Sequence, residues 1–262
     1  MPDRLRTLLD AVAGVAADAG QLAMASFGGG YRQWEKEPGH PVCEVDLAVD
    51  RMIRGRLATI DPEAGWLSEE TVDNAERLMK VRTWVVDPID GTRDYLRGRA
   101  GWAVSIALVE GGNVVLGVLD APVRGERWAA AAGQGATCNG VALRAGGRTE
   151  LPGARTPADA LPRADRDLAL VHKPNSIALR IAMVAADEAD LVASLRWGHE
   201  WDIAAAALIA QEAGAVVTDG FGAPLRYNST KAEAFGCVAA AAGIHDAAIT
   251  RLRERALAAA VR

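Results

Sequence analysis

Apolar positions recur in two rhythms along this chain. Over residues 3–26 they stand three and four apart (Leu5, Leu8, Val12, Val15, Ala19, Leu22), which predicts a helix with one buried face, and Gly28, Gly29 and Gly30 end it. Residues 31–36 predict a short strand and residues 37–41 a mobile loop. Leu47, Met52, Ile53 and Leu57 then mark one face of a second helix, stopped at Asp61-Pro62. The rhythm next shortens. Runs at 66–68, 84–86, 102–109, 114–119, 127–132 and 137–143 predict strands, the last four joined as hairpins across Gly111-Gly112-Asn113 and Gly133-Gln134-Gly135. Residues 144–166, rich in Gly, Pro, Ala and Arg, predict a linker. Beyond it, strands are predicted at 167–171, 189–193, 216–218 and 235–239, and helices at 177–186, 202–213 and 244–261. The expectation is a mixed α/β chain in two subdomains, 1–146 and 147–262.

Composition narrows the function classes. Half of the 262 residues are hydrophobic, enough for a sizeable core, and the net charge of −5 carries no block of like sign. A nucleic-acid partner would call for a basic face, so none is expected. No apolar run has the length of a membrane span, and the first residues lack a signal-like apolar core. Cys43, Cys138 and Cys237 are far apart and show neither zinc spacing nor a disulfide framework, which points to a reducing, cytoplasmic setting.

The candidate chemistry sits where apolar runs end in acids. Trp84-Val85-Val86 leads into Asp87-Pro88-Ile89-Asp90-Gly91-Thr92, a loop that Pro88 stiffens and Gly91 turns. Trp66-Leu67-Ser68 leads into Glu69-Glu70. Uncompensated carboxylates at a core edge are costly, and hard divalent cations such as Mg²⁺ prefer oxygen donors. Asp202 opens a predicted helix and reads either as its cap or as a ligand from the second subdomain. Asp50 is assigned to the solvated side of its helix, His172 and His199 to polar surface or pocket wall, and the tryptophans to core or interface. No Ser/His/Asp or Cys/His arrangement offers a covalent nucleophile.

Glu69-Glu70, Asp87-Pro88-Ile89-Asp90-Gly91-Thr92 and Trp201-Asp202-Ile203-Ala204-Ala205 stand in the order and spacing of the inositol monophosphatase superfamily, and Asp46 within Glu44–Asp50 fits it as well. The resemblance runs from about residue 5 to 240. It implies a layered αβαβα sandwich and hydrolysis of small phosphate monoesters by a homodimer. It implies two to three Mg²⁺ ions per site, with Mn²⁺ as a substitute and Li⁺ as an inhibitor. By motif, Glu69, Asp87 and the Ile89 carbonyl resemble ligands of one ion, and Asp87, Asp90 and Asp202 ligands of a second. Glu70 resembles an acid behind them, Asp46 and Thr92 the pair that orients and activates water, and the Gly91 and Thr92 N–H groups a phosphate cradle.

For the substrate, the position seven before Asp202, where inositol-type members carry an acid, is Leu195. Glu200-Trp201-Asp202, Pro224–Asn228 and Ser176–Arg180 are similar to the CysQ-like branch of 3′(2′),5′-bisphosphate nucleotidases, which implies substrate contacts at Ser176, Arg180, Glu200 and Arg226. A bisphosphate needs a second anion site, for which Lys173, Arg180, Arg196 and Arg226 are candidates. The chain departs from the family at Cys43 (often Thr), at Ala206 (usually Gly), and in a short 149–176 segment that shapes the leaving-group pocket. An inositol-1-phosphate or sugar phosphatase, and a non-catalytic metal- or phosphate-binding homologue, stay open beside the nucleotidase.

Overall fold

The computed structural model describes residues 2–37 and 40–261. In chain order the elements are α1 (Pro2–Met24), β1 (Gln33–Glu37), β2 (His40–Cys43), α2 (Glu44–Ile60), β3 (Gly65–Ser68), β4 (Arg82–Asp90), α3 (Thr92–Leu96), β5 (Ala103–Glu110), β6 (Asn113–Ala121), β7 (Glu126–Ala131), β8 (Ala136–Cys138) and β9 (Val141–Ala142). They continue with β10 (Arg155–Pro157), β11 (Ala169–Val171), α4 (Ile177–Ala185), β12 (Leu191–His199), α5 (Glu200–Glu212), β13 (Ala215–Thr218), β14 (Glu233–Ala241) and α6 (His245–Ala260).

Strands β3 to β9 form a seven-stranded sheet in sequence order; β3 and β4 are parallel and the remaining neighbours antiparallel. A three-stranded antiparallel sheet has the order β12-β14-β13. Helices α1 and α2 cover one face of the large sheet, α4 and α5 lie between the two sheets, and α6 covers the outer face of the small one. The result is the expected αβαβα layering.

Strand alternation feeds these layers. Trp84 and Val86 of β4 point into the core under α1 and α2, with Val12, Val49, Ile53 and Leu57. Val85 points the other way, into the core it shares with Leu67, Ile181 and the α5 alanines. A helix held between two sheets has no polar face to spare, which accounts for the run Ala204–Ala207, all buried. That central core contains residues from both sides of position 147.

Four expectations are corrected. Glu37 and His40–Pro41 belong to the β1–β2 hairpin rather than a loop; Pro38 and Gly39 lie outside the described residues. The run 137–143 splits into β8 and β9 because Asn139 and Gly140 both take positive φ (51° and 80°), the signature of a tight Asn-Gly hairpin turn. The 144–166 linker is built into the fold: β10 pairs in parallel with β11, and Leu151 and Ala154 are buried under α6. Finally, Asp87 and Asp90 are not in a loop; both belong to β4.

Candidate active site

The placement of Asp87 and Asp90 rests on a bulge. Asp87 pairs with Ser105 and Asp90 with Ala103, so Pro88 and Ile89 together oppose the single residue Val104. In a regular strand, residues three apart face opposite sides. The extra residue restores parity, and both carboxylates face one cavity. Pro88, with no N–H to offer a ladder, suits the bulge. Asp87 Oδ1 accepts from the Ile89 N–H at 3.0 Å, which fixes its rotamer. The chain then turns at Gly91, whose φ is 95° and where a Cβ would come within 2.6 Å of the Gly101 carbonyl oxygen.

The cavity has a volume of about 550 Å³. Glu69 enters it from the end of β3, Asp87, Ile89 and Asp90 from β4, and Asp202 from the first turn of α5. Gly91 and Thr92 form part of its edge, and Lys36, Arg93, Lys173, Arg180 and Arg196 supply a basic rim. His199 and Trp201 stack at 4.3 Å between centroids, nearly parallel at 10°, and both line the cavity. The short segment after β11 closes another side: Lys173 and Asn175 line the cavity, and the Asn175 N–H donates to Asp94 at 3.1 Å.

Electrostatics mark this cavity out. Burial pushes the Asp87 carboxyl well above the usual range, and the charges of Glu69, Asp90 and Asp202 push it further. Asp202, partly open to the cavity, moves the same way through burial and the charges of Asp90 and Glu69. Asp90 is raised by burial to about 6, against the stabilising pull of the Ser176 hydroxyl and the Ala178 N–H, which both donate to Oδ2. Glu70 is raised by burial to about 7, against the pull of Lys36, whose ammonium donates to Glu70 Oε1 at 2.5 Å and also reaches Glu69 Oε1 at 3.5 Å.

These observations test whether the residues fit a divalent cation. The donors are all carboxylate or carbonyl oxygens, neighbouring acids raise the pKa of Asp87 and Asp202, Glu70 Oε2 is buried without a partner, and a lysine ammonium is drawn in among them. That is the donor chemistry of a hard cation. Among the described residues no three His, Cys, Asp or Glu side chains are gathered tightly on one point. The acids therefore share a cavity without forming a closed cage.

Asp46, at the start of α2, has Oδ2 held by the Cys43 N–H at 2.8 Å and the Cys43 thiol at 2.9 Å. Burial raises it to about 6. The Thr92 hydroxyl has two acceptors, the Ile89 carbonyl at 3.0 Å and Asp46 Oδ1 at 3.5 Å.

Three expected substrate contacts are elsewhere. Ser176 is fully buried, donates to Asp90, and caps α4 by accepting from the Leu179 N–H at 2.9 Å. Glu200 is fully buried and accepts from the Asn228 and Ser229 N–H groups at 2.5 and 2.9 Å, because the first turn of α5 packs onto that turn. Arg226 lies outside the cavity and donates to Asn113 at 2.7 Å. Arg180 does line the cavity.

Asp50 is the residue that sequence reasoning missed. It is 5% exposed and accepts from the Ser68 and Thr71 hydroxyls at 2.5 and 2.8 Å, bracketing Glu69-Glu70. The available signal was its spacing: four residues after Asp46 on a helix is the same face. The tryptophans divide. Trp84, Trp102 and Trp128 are core, whereas Trp34 and Trp197 are exposed.

Known proteins resemble this chain over most of its length. The model of the inositol monophosphatase family matches residues 4–258. The chain is 32% identical over 233 residues to the 3′(2′),5′-bisphosphate nucleotidase CysQ of Escherichia coli K12, covering 84% of this chain and 94% of that protein. It is 32% identical over 196 residues to the fructose-1,6-bisphosphatase/inositol-1-monophosphatase of Thermotoga maritima, covering 71% and 74%. Among solved structures, the extragenic suppressor protein SuhB of Bartonella henselae superposes with a TM-score of 0.82 at 26% identity, over 95% of this chain and 99% of that one.

Proposed function

The chain belongs to the inositol monophosphatase family, and on that premise we propose that it is a Mg²⁺-dependent phosphomonoesterase whose preferred substrate is a 3′,5′-bisphosphorylated nucleoside. The observation that carries the reading is the meeting, in one cavity, of acids from β3, β4 and α5 with the Thr92 hydroxyl set between Asp46 and the Ile89 carbonyl.

Glu69, Asp87, Asp90, Asp202 and the Ile89 carbonyl would hold the ions. When bound, Mg²⁺ neutralises the phosphate dianion, acidifies water and stabilises the leaving oxygen. The remaining work falls to this chain's own groups. The Thr92 hydroxyl, with Asp46 and the Ile89 carbonyl as its acceptors, would accept a hydrogen bond from the attacking water through its oxygen. Asp46, raised to about 6, is ionised at neutral pH and holds that hydroxyl in line. Glu70 and Lys36 balance charge behind the acids. The Gly91 and Thr92 N–H groups, at the cavity edge, orient the phosphate oxygens.

The nucleotide preference is supported by the lining that the acids share with Lys173, Arg180, Arg196, His199 and Trp201. These five are basic or aromatic, whereas Leu195 packs away from the cavity into the core under α6. The E. coli relative points the same way. The test is Mg²⁺-dependent phosphate release from adenosine 3′,5′-bisphosphate, inositol 1-phosphate and fructose 1,6-bisphosphate. The nucleotide is expected to rank first, with inhibition by Li⁺. Inositol 1-phosphate ranking first would establish the sugar-phosphatase alternative. No release from any ester with Mg²⁺ or Mn²⁺ would leave a non-catalytic binder.

A further inference from the structure

Glu200 and Asn228 stand outside the substrate cavity and bind each other. Glu200 is the first residue of α5, two before Asp202. Its carboxylate oxygens are taken separately, Oε2 by the Asn228 N–H and Oε1 by the Ser229 N–H. In return the Glu200 N–H, one of the donors a helix start leaves over, donates to the Ala232 carbonyl at 3.0 Å. Asn228 and Ala232 hold φ of 60° and 54°, a region that an L side chain takes only where its surroundings impose it.

Arg77 grips the same turn from the other side. It stands in the single helical turn Ala75–Met79 between β3 and β4 and is 2% exposed. Its Nη1 donates to Asn228 Oδ1 at 2.6 Å and its Nη2 to the Ser229 carbonyl at 2.9 Å, while Nε and Nη2 donate to Asp73 at 2.7 and 2.9 Å. The turn that carries Arg77 is packed onto the starts of both strands. A Cβ on Gly65 of β3 would come within 2.9 Å of Arg77 Cβ, and the Thr83 hydroxyl of β4 donates to the Arg77 carbonyl at 3.3 Å. One guanidinium therefore links the strand pair that delivers Glu69, Asp87 and Asp90 to the helix turn that delivers Asp202. A second tie joins the same places: Ser105, opposite Asp87 in the ladder, donates its hydroxyl to the Trp201 carbonyl at 3.5 Å. The competing role is a fold anchor that keeps α5 on the sheet without setting where Asp202 stands.

We propose that Arg77 and Glu200 are positioning residues of the cation site: they clamp the Asn228-Ser229 turn from both sides and so hold Asp202 in register with Glu69, Asp87 and Asp90. This rests on the reading of those acids as Mg²⁺ ligands. The probe is Mg²⁺ itself, titrated by calorimetry into the full chain well below its melting transition. Asn228→Gly is the mildest cut. Glycine accepts a φ of 60° and keeps the N–H that Glu200 uses, so the side-chain link to Arg77 is what is lost. Its Kd for Mg²⁺ should rise by about 10-fold, and that of Glu200→Gln by about 10- to 100-fold, because one N–H then faces an amide donor. Combining Asn228→Gly with Arg77→Lys should cost less than the product of the two single effects, since both cut one link. A fold anchor would lower the metal-free Tm and leave the Kd of the folded variants unchanged, and that result would overturn the proposal, as would fully multiplicative effects. If the wild-type chain binds no Mg²⁺, the cation reading falls by itself, and the clamp is then read by hydrogen exchange in the metal-free protein. The amides of residues 204–206 close the first turn of α5, and Asn228→Gly should speed their exchange by about 10-fold or more. Equal protection in the two chains would refute the clamp.

Discussion

The raised carboxyls predict an unusual pH dependence of stability for the metal-free protein. Asp46 moves from an ordinary 3.8 to about 6, and Glu70 from 4.5 to about 7, both through burial. An acid whose folded pKa is raised binds its proton more tightly in the native state, so stability falls as pH climbs from the unfolded value to the folded one. At 1.36 kcal/mol per tenfold, each group contributes roughly 3 kcal/mol of that fall. The two interact through Lys36 and Glu69, so their sum is an upper bound. Asp90, also raised to about 6, acts in the same direction. Opposed to them are Asp73, Asp159, Asp167 and Asp190, all held below 3.8 with the help of arginine or lysine partners. Their contribution is lost only as pH falls below about 4, so a scan from about pH 5 to 8 isolates the raised group. With chelator present, about one pH unit of the Asp46 shift and two of the Glu70 shift fall inside that window, so stability should drop by about 2–4 kcal/mol across it, or on the order of 4–16 °C in Tm for a chain of this size. Saturating Mg²⁺ should restore more stability at the alkaline end than at the acid end, because it binds the ionised acids. A scanning-fluorimetry series with and without Mg²⁺ reads both effects. A metal-free Tm that rises from pH 5 to 8, or a Mg²⁺ increment independent of pH, would refute the assignment of these acids to a cation site.

Two further outcomes follow from the hydrogen bonds around the site. Asp90→Asn keeps an oxygen for the Ser176 hydroxyl and the Ala178 N–H, so the melting curve should change little while Mg²⁺-dependent phosphate release falls by about 10²–10⁴-fold; near-normal turnover would exclude Asp90 from the metal site. Asp50→Ala leaves the Ser68 and Thr71 hydroxyls without their acceptor, for an expected loss of about 2–4 kcal/mol in urea unfolding together with weaker Mg²⁺ binding by calorimetry; a loss of stability with unchanged Mg²⁺ affinity would show that Asp50 supports the fold without setting the Glu69-Glu70 turn.

What could be read in the sequence divides along a physical line. Helix faces, capping residues and buried runs depend on neighbours a few positions away. Accordingly α1, α2, α5 and α6 and the strands of the large sheet lie close to where the periodicity places them. Ser176 belongs to this class too. A serine immediately before an apolar helical run is a cap by default, and it is one here, with its hydroxyl spent on Asp90 and its backbone partner rather than left for a substrate. Asp50 was likewise legible from the i, i+4 geometry of α2, had that geometry been weighed against the general preference of charge for solvent. Bulges are different. Whether Asp87 and Asp90 share a face, or Arg196 rather than Leu195 meets the cavity, depends on how many residues the partner strand places opposite them, and that count is fixed by β5 and β14. Nothing local to Asp87–Asp90 or Leu195–Arg196 records it. The remote signals are a proline that gives up a ladder N–H and a glycine at φ +71° opposite the bulge. The same distance in sequence hides the fate of Glu200, whose acceptors are saturated by a turn nearly thirty residues on. The direction of Glu200 is therefore decided by a distant turn, and the bulges in β4 and β12 bring two acids and one arginine into the cavity that Glu69 and Asp202 enter from other elements.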